Sequence, residues 1–189
     1  MKGLLNGVAV ALAGALFAAP SVSGQSASFS LGGGLSIPTG DYNTIARLGW
    51  HGAASVLLAH QSRPFAIQID ANYAQFGLEA ESPTGSFDVN QRFIYGTGNV
   101  VYRFQKSPMG RLRPYVIGGI GVYNSKGTGK DAALFGNTSA TDFGVNVGTG
   151  FDYRVAGATL FLEARFHNIF SDPSNTQYVP VTAGLKFGG

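Results

Sequence analysis

The residues best suited to chemistry in this 189-residue chain are a few charged side chains within otherwise apolar segments. Charged residues make up only 12% of the sequence, which is about half of the usual share. Eight ionisable residues fall on the polar parity of their segments: Asp70, Arg103, Asp152, Arg154, Glu163, Arg165, His167 and Lys186. A charge that leaves water must be paired or remain solvated, so acids and bases on one face predict a cluster of ion pairs.

Glu163, His167 and Ser171 are the residue types of a hydrolytic triad, and they occur within one short stretch. A nucleophile and its base must lie within hydrogen-bonding reach of each other. In an extended strand, His167 and Ser171 would be roughly 13 Å apart, at ~3.3 Å per residue. A serine two residues after the histidine would be closer, but Ile169 holds that position. The sequence therefore favours a non-enzymatic protein, with Glu163 and His167 in the ionic cluster.

The sequence predicts no cofactor, no metal ion and no nucleic-acid partner. The stretch SKGTGK at 125–130 is not a phosphate-binding loop, because Asn124 precedes it and Asp131 follows it. The three histidines lie on different segments without the spacing of metal ligands. A net charge of only +3 and the lack of a basic run argue against a nucleic-acid surface. With no cysteine, the chain has no disulfide framework.

The elements that would position these residues are eight segments with a two-residue period. In FGVNVGTGFDYR at 143–154, Phe143, Val145 and Val147 share one face, while Asn146 and Asp152 share the other. This alternation predicts strands with one apolar and one polar face. The segments lie at 28–37, 48–60, 65–76, 94–104, 115–124, 143–154, 159–167 and 179–187. The fifth is apolar on both parities, so its faces stay unassigned.

The connections between the segments alternate between long and short. Long ones lie at 38–46, 78–89, 125–141 and 170–176, and short ones at 61–64, 105–111 and 155–157. Long loops at one end and short turns at the other are typical of a transmembrane β-barrel. We therefore predict an all-β fold, an eight-stranded antiparallel transmembrane up-and-down β-barrel with both termini at the short-turn end. The alternative is a soluble ligand-binding barrel with its apolar side chains inside.

The aromatic residues favour the membrane barrel. The short-turn end carries Phe29, Phe65, Tyr102, Phe104, Phe151, Tyr153 and Phe187. The long-loop end carries Trp50, Tyr73, Phe143 and Phe166. Two aromatic girdles around an aliphatic band are typical of a lipid-facing surface.

The N-terminal stretch predicts export. Lys2 precedes an apolar run from Leu4 to Ala19, and small residues follow it, as in a secretory signal peptide. The run falls short of the ~20 apolar residues of a spanning helix. We predict a signal peptide at 1–24 and a barrel domain at 25–189.

The mature sequence resembles the small OmpA/OmpX-like barrels, which are porin-family proteins with an outer membrane protein beta-barrel domain. The resemblance rests on GGGLSIPTGDY (32–42), RPYVIGGIGVYN (113–124) and YVPVTAGLKFGG (178–189). Thr182, Gly184, Leu185 and Phe187 match the closing-strand pattern that the barrel-assembly machinery reads in that family. The resemblance implies an outer-membrane location in a Gram-negative-type envelope, with outer-membrane lipids and the assembly machinery as partners. It transfers no catalytic residue.

Together these features predict a structural or surface-interaction role. An eight-stranded barrel is just wide enough for side chains to fill, so the charged residues would form a polar and ionic plug. A narrow porin for small solutes is one alternative, because glycines at 32, 34, 144, 148 and 150 leave space. A lipid A-modifying barrel enzyme is another. An extracellular ligand would bind the loops at 78–89 or 125–141, since loops on rigid scaffolds carry binding sites.

Overall fold

The computed structural model of the chain describes residues 25–60, 62–78, 81–82, 85–86, 89–104, 111–128, 139–155 and 157–188. The predicted signal peptide at 1–24 lies outside the described residues, as do most of the loop residues at 78–89 and 125–141. The signal peptide stays a prediction, whereas the predicted loop at 125–141 is corrected in part, because residues 125–128 and 139–141 belong to strands. Within the described ranges, no helix is long and apolar enough to cross a membrane.

Eight strands of the described chain form one closed antiparallel barrel in which each strand pairs with its chain neighbours. They are β1 (Gln25–Thr39), β2 (Gly49–His60), β3 (Phe65–Gly77), β4 (Asn90–Arg103), β5 (Leu112–Thr128), β6 (Ser139–Val155), β7 (Ala158–Ile169) and β8 (Thr176–Gly188). A separate short hairpin pairs Glu81–Ser82 with Gly85–Ser86. The pairing of β1 with β8 closes the barrel, with Leu31 opposite Leu185. The predicted fold class is confirmed.

The two faces of the strands have the predicted orientation. On β6, Val147 is 62% exposed on the outside, while the neighbouring Asn146 is 4% exposed in the lumen. Most of the predicted girdle residues are exposed on the outer face: Trp50, Phe65, Phe104, Phe143, Phe151, Tyr153, Phe166 and Phe187. This apolar exterior is what lipid requires and contradicts the soluble-barrel alternative.

The structure also assigns the faces of β5, which the sequence left open. Tyr115, Ile117 and Tyr123 are buried in the lumen, whereas Ile120 and Val122 face outward. The strand is apolar on both parities because Tyr115, Ile117 and Tyr123 lie in the lumen on either side of two inward glycines, Gly119 and Gly121. The interior is therefore less polar than the alternation alone predicts.

A short 3-10 helix, Gly40–Thr44, follows β1 and covers the barrel end opposite the termini. We call this the loop end, and the end where β1 begins and β8 finishes the terminal end. Tyr42 is buried there against Phe76, with ring centroids 5.4 Å apart, and its hydroxyl donates to Gln91 Oε1 at 2.8 Å. Burial holds the pKa of Tyr42 well above its ordinary value, so the hydroxyl remains a hydrogen-bond donor. The segment predicted as a loop thus packs into the barrel.

The position of the membrane span can be tested by introducing arginine at two outward positions of β6 that lie at different depths. We expect Val147→Arg, at the centre of the strand, to lower the free energy of unfolding by about 2–4 kcal/mol in lipid. Val155→Arg, at the terminal end of the same face, should cost only about 0–1 kcal/mol. The measurement is urea unfolding in vesicles, followed by fluorescence of Trp50, the single tryptophan. Equal costs at the two positions would contradict the assigned membrane span.

Candidate functional site in the barrel lumen

The centre of the lumen is crossed by an ion-paired group that we call the ionic triad: Asp70, Glu163 and Arg165. Arg165 on β7 donates through Nη1 to Asp70 Oδ2 and through Nε to Glu163 Oε1, each at 2.5 Å. Asp70 lies on β3, which is four strands away from β7 around the eight-stranded ring. Arg165 therefore connects opposite walls of the barrel.

Neutral donors on β3 and β4 complete the coordination of Asp70. Its Oδ1 accepts from Gln68 Nε2 at 2.9 Å. Its Oδ2 accepts from Thr97 Oγ1 at 2.9 Å and from Asn99 Nδ2 at 2.8 Å. Asn146 on β6 extends the network by donating to Asn99 Oδ1 at 2.9 Å. A buried charge is tolerated when it is paired and hydrogen-bonded in this way.

A second charged pair lies between the triad and the terminal end. Lys186 Nζ on β8 is 2.7 Å from Asp152 Oδ1 on β6. The same ammonium lies 4.7 Å from the ring centroid of Tyr115 and 5.2 Å from that of Phe161. Tyr115 in turn donates its hydroxyl to Glu163 Oε2 at 2.9 Å. Tyr115 thus connects the pair to the triad.

The other three residues of the predicted ionic cluster lie elsewhere. Arg103 and Arg154 line a cavity at the terminal end of the barrel. His167 is 2% exposed, with its Nδ1 2.8 Å from the hydroxyl of Tyr123 and its ring stacked on Tyr178 at 5.1 Å. The structure therefore divides the predicted set of eight into a triad, a pair and three separate residues.

His167 packs against an aromatic group at the loop end that was not predicted from the sequence. We call this group the aromatic cap; it consists of Tyr42, Phe76, Phe93, Tyr95, Tyr123 and Tyr178. Tyr95 and Tyr123 stack at 4.8 Å, and Phe76 meets Tyr178 edge-on at 5.2 Å. The alternation of residues along β4 could have revealed this group. Phe93 and Tyr95 lie on the same face as the polar Thr97, which is the lumen face, whereas Ile94 lies on the lipid face.

A second histidine, His51, joins three strands in the lumen. Its Nδ1 is 3.0 Å from Ser36 Oγ on β1, and its Nε2 is 2.8 Å from Thr182 Oγ1 on β8. Ser36 is completely buried, so this serine and histidine have no access for a substrate. This bridge was not predicted from the sequence either, where His51 was considered only as a metal ligand.

The structure does not assemble the hydrolytic set considered from the sequence. The hydroxyl of Ser171 lies 3.4 Å from Thr176 Oγ1, and His167 is bonded to Tyr123 instead. Within the described ranges, no group of three His, Cys, Asp or Glu side chains is placed to hold a metal ion.

The inward glycines of β6 lie against large neighbouring side chains. A Cβ added at Gly150 would lie 2.5 Å from the Tyr115 hydroxyl oxygen, and one at Gly144 would lie 2.8 Å from Tyr123 Cε2. One at Gly148 would lie 2.8 Å from Arg165 Cγ. The space that these glycines provide is therefore used by tyrosine and arginine.

Little free volume remains around the triad. A cavity of about 20 Å³ lies among its side chains, with Ser30, His51 and Asn72 among the lining residues. That volume is enough for about one water molecule. This part of the lumen is packed.

An antiparallel barrel with an apolar exterior and a packed, hydrogen-bonded lumen is the architecture of the small bacterial outer-membrane proteins. The family model described as outer membrane protein beta-barrel domain matches residues 8–187. The chain belongs to this family, which implies an outer-membrane location.

Solved structures share the fold at low sequence identity. Neisserial surface protein A has a TM-score of 0.57 at 13% identity, over 87% of this chain and 97% of its own. Ail, the attachment invasion locus protein of Yersinia pestis, was solved with the heparin analogue sucrose octasulfate. Its TM-score is 0.55 at 16% identity, and the match covers 86% of this chain and 99% of Ail. A major outer membrane protein from Thermus thermophilus has a TM-score of 0.59 at 11% identity, over 86% and 99%. A comparison with curated proteins finds no match.

The triad gives a stability prediction. Arg165→Met removes the cation and leaves the carboxylates of Asp70 and Glu163 buried together without a counter-charge. We expect a loss of about 3–5 kcal/mol in the free energy of unfolding. Adding Asp70→Asn and Glu163→Gln should recover part of this loss. Urea unfolding in vesicles measures both effects, and a loss below about 1 kcal/mol, typical of exposed pairs, would show that the triad is solvated.

The glycine contacts give a second prediction, with a matched control on the outer face. Gly150→Ala should destabilise the barrel by about 1–3 kcal/mol, because the methyl group overpacks against Tyr115. A Cβ at Gly98 meets nothing within 4 Å. Gly98→Ala should therefore be neutral or stabilising by up to about 1 kcal/mol. If both variants unfold at the same urea concentration, the lumen around Tyr115 is looser than the contacts indicate.

Proposed function

We propose that this protein is a non-enzymatic outer-membrane barrel with a structural or surface-interaction role and a lumen closed by a polar and ionic plug. The observation that carries this proposal is the path of Arg165, which is ion-paired to Asp70 on the opposite wall. A guanidinium fixed on both sides by carboxylates obstructs the middle of a barrel of this width.

Further layers support closure on both sides of the triad. Toward the loop end, the aromatic cap is almost completely buried, and the residues at 40–44 lie against it. Toward the terminal end, Lys186 and Asp152 pair beside Tyr115. A hydrated ion would have to displace aromatic rings and two ion-paired groups in succession.

The arrangement of the polar residues supports a non-enzymatic role. The serine and histidine that do contact each other, Ser36 and His51, are buried on the lumen wall. A lipid A-modifying enzyme would need its nucleophile within reach of the outer leaflet. Ser36 is completely buried, and the hydroxyl of Ser171 lies 3.4 Å from Thr176 Oγ1, so neither serine supports such a role.

A closed lumen leaves the loops as the surface on which this protein would meet other molecules. The predicted loops at 78–89 and 125–141 are the longest, and the loop at 78–89 contains Glu79, Glu81 and Asp88. Ail, which shares the fold, was solved with a heparin analogue. For the present chain we propose a loop-mediated interaction without naming its ligand.

The proposal includes a route to the membrane. The signal peptide at 1–24 would direct export, and the strand ending in Leu185 and Phe187 would be recognised by the barrel-assembly machinery. The terminal end would then face the periplasm, with outer-membrane lipids around the apolar band.

Single-channel recording separates the plug from the pore. We expect the refolded wild-type protein to show no conductance steps in planar bilayers. Glu163→Ala should lower stability, since Arg165 loses one of its two carboxylates, and any conductance should appear only in this variant. Glu163→Gln keeps the side-chain volume and is the control for packing. Heat-dependent mobility on SDS gels verifies that each sample is folded.

Regular wild-type channels, with Glu163→Ala changing ion selectivity but not stability, would support the narrow porin instead and refute the plug.

A further inference from the structure

The terminal end of the barrel opens into a cavity that the proposed function does not use. Its volume is about 520 Å³, and strands from all around the barrel contribute to its wall. We call it the basic vestibule, after the cations that line it: Arg63, Arg103, Arg113, Arg154 and Lys186. Asp152 is the one carboxylate among the described residues of its lining.

The charges of the vestibule are not balanced. Asp152 is already paired with Lys186 at 2.7 Å. Across the described ranges, the ion pairs do not include any of the four arginines of the vestibule. By sequence, the turns QSRP (61–64) and QKSPMGR (105–111) contain no Asp or Glu, and the second contains two more basic residues, Lys106 and Arg111. Four guanidinium groups therefore share one concave space without acidic partners.

Arg103 provides a second, independent indication. Its Nε is buried and has no hydrogen-bond acceptor in the structure. Buried donors in native proteins nearly always have a partner, from the protein, from water or from a ligand. Arg103 therefore lines a cavity already rich in positive charge without an acceptor for this donor, and its guanidinium charge is left uncompensated.

Phosphate is the anion whose chemistry fits this arrangement best. The planar fork of arginine matches phosphate oxygens in a bidentate manner, and several forks can engage a group that has three or more acceptor oxygens. A carboxylate offers two oxygens and one charge, which is too little for four guanidinium groups. A cleft with low-dielectric walls also concentrates the field of its charges and attracts anions.

We propose that the basic vestibule binds a phosphate-bearing ligand through Arg103 and Arg154, with Arg63 and Arg113 completing the site. Two sources have this chemistry: a soluble phosphate compound and the headgroup of an anionic phospholipid. The lipid source is reachable because Phe104, which lines the vestibule, is also 43% exposed on the outer face. The site does not depend on whether the lumen conducts, so it stands or falls separately from the plug.

The test uses the refolded full chain in maltoside detergent, which contains no phosphate. One arm titrates pyrophosphate by isothermal calorimetry, and the other counts bound phosphatidylglycerol by native mass spectrometry. The variant combines Arg103→Gln with Arg154→Gln. The matched control is Arg92→Gln, which removes one arginine from the loop end of the same strand, β4.

Whichever ligand the wild type binds, we expect the double variant to raise its Kd by at least about tenfold. This is the effect that the loss of charge-assisted hydrogen bonds implies. The Arg92 variant should change the affinity less than about twofold, as a solvated charge far from the site would. If the double variant does not fold, Arg154→Gln alone serves, because Arg154 lies exposed at the rim.

The two arms identify the source of the phosphate. Binding of pyrophosphate alone assigns a soluble ligand, and retention of phosphatidylglycerol alone assigns a lipid headgroup. Absence of both, or equal losses in the Arg92 control and the double variant, would overturn the proposal.

Discussion

A guanidinium held between two carboxylates in the middle of a narrow barrel constrains most of the surrounding structure. Arg165 spans the lumen to Asp70, and the position that pairs with it on β6 is Gly148, where an added Cβ would lie 2.8 Å from the arginine Cγ. Removing three charges from water is unfavourable unless further donors compensate. Asn99 and Thr97 on β4 and Tyr115 on β5 supply those donors, so two neighbouring strands contribute hydrogen bonds to the same two carboxylates.

The outer face of the barrel is constrained by lipid, which offers no hydrogen-bond partners. In lipid every backbone polar group must be satisfied within the protein, and the closed ladder of eight strands achieves this without a free edge. One strand therefore serves two environments through alternate residues, as Val147 and Asn146 do on β6. The aliphatic band specifies that the barrel sits in a membrane, and the lumen side chains specify what the barrel encloses.

The part of the structure enforced by lipid was predictable from the sequence, and the part formed inside the lumen was not. The two-residue period located all eight strands and placed Glu163 and Arg165 inside, since a single shift in register would expose charge to lipid. Beyond the membrane this constraint ends, and the ends of the strands are no longer predictable. β5 extends to Thr128 and β6 begins at Ser139, so both strands reach into the segment at 125–141 that was predicted as a loop. Which acid meets which base depends on distances across the barrel, and no local pattern encodes that Asp70 faces Arg165 while His167 meets Tyr123.

The basic vestibule could not be predicted from the sequence, because it too depends on which residues the closed barrel brings together. Its cations are spread from Arg63 to Lys186, each at the terminal end of a different strand or turn, so no run of basic residues occurs. Closure of the barrel brings them together around one cavity at the terminal end. In an open channel, such arginines would select passing anions. Beneath the closed lumen that we propose, they would line a cavity in which an entering anion is held by the same guanidinium groups.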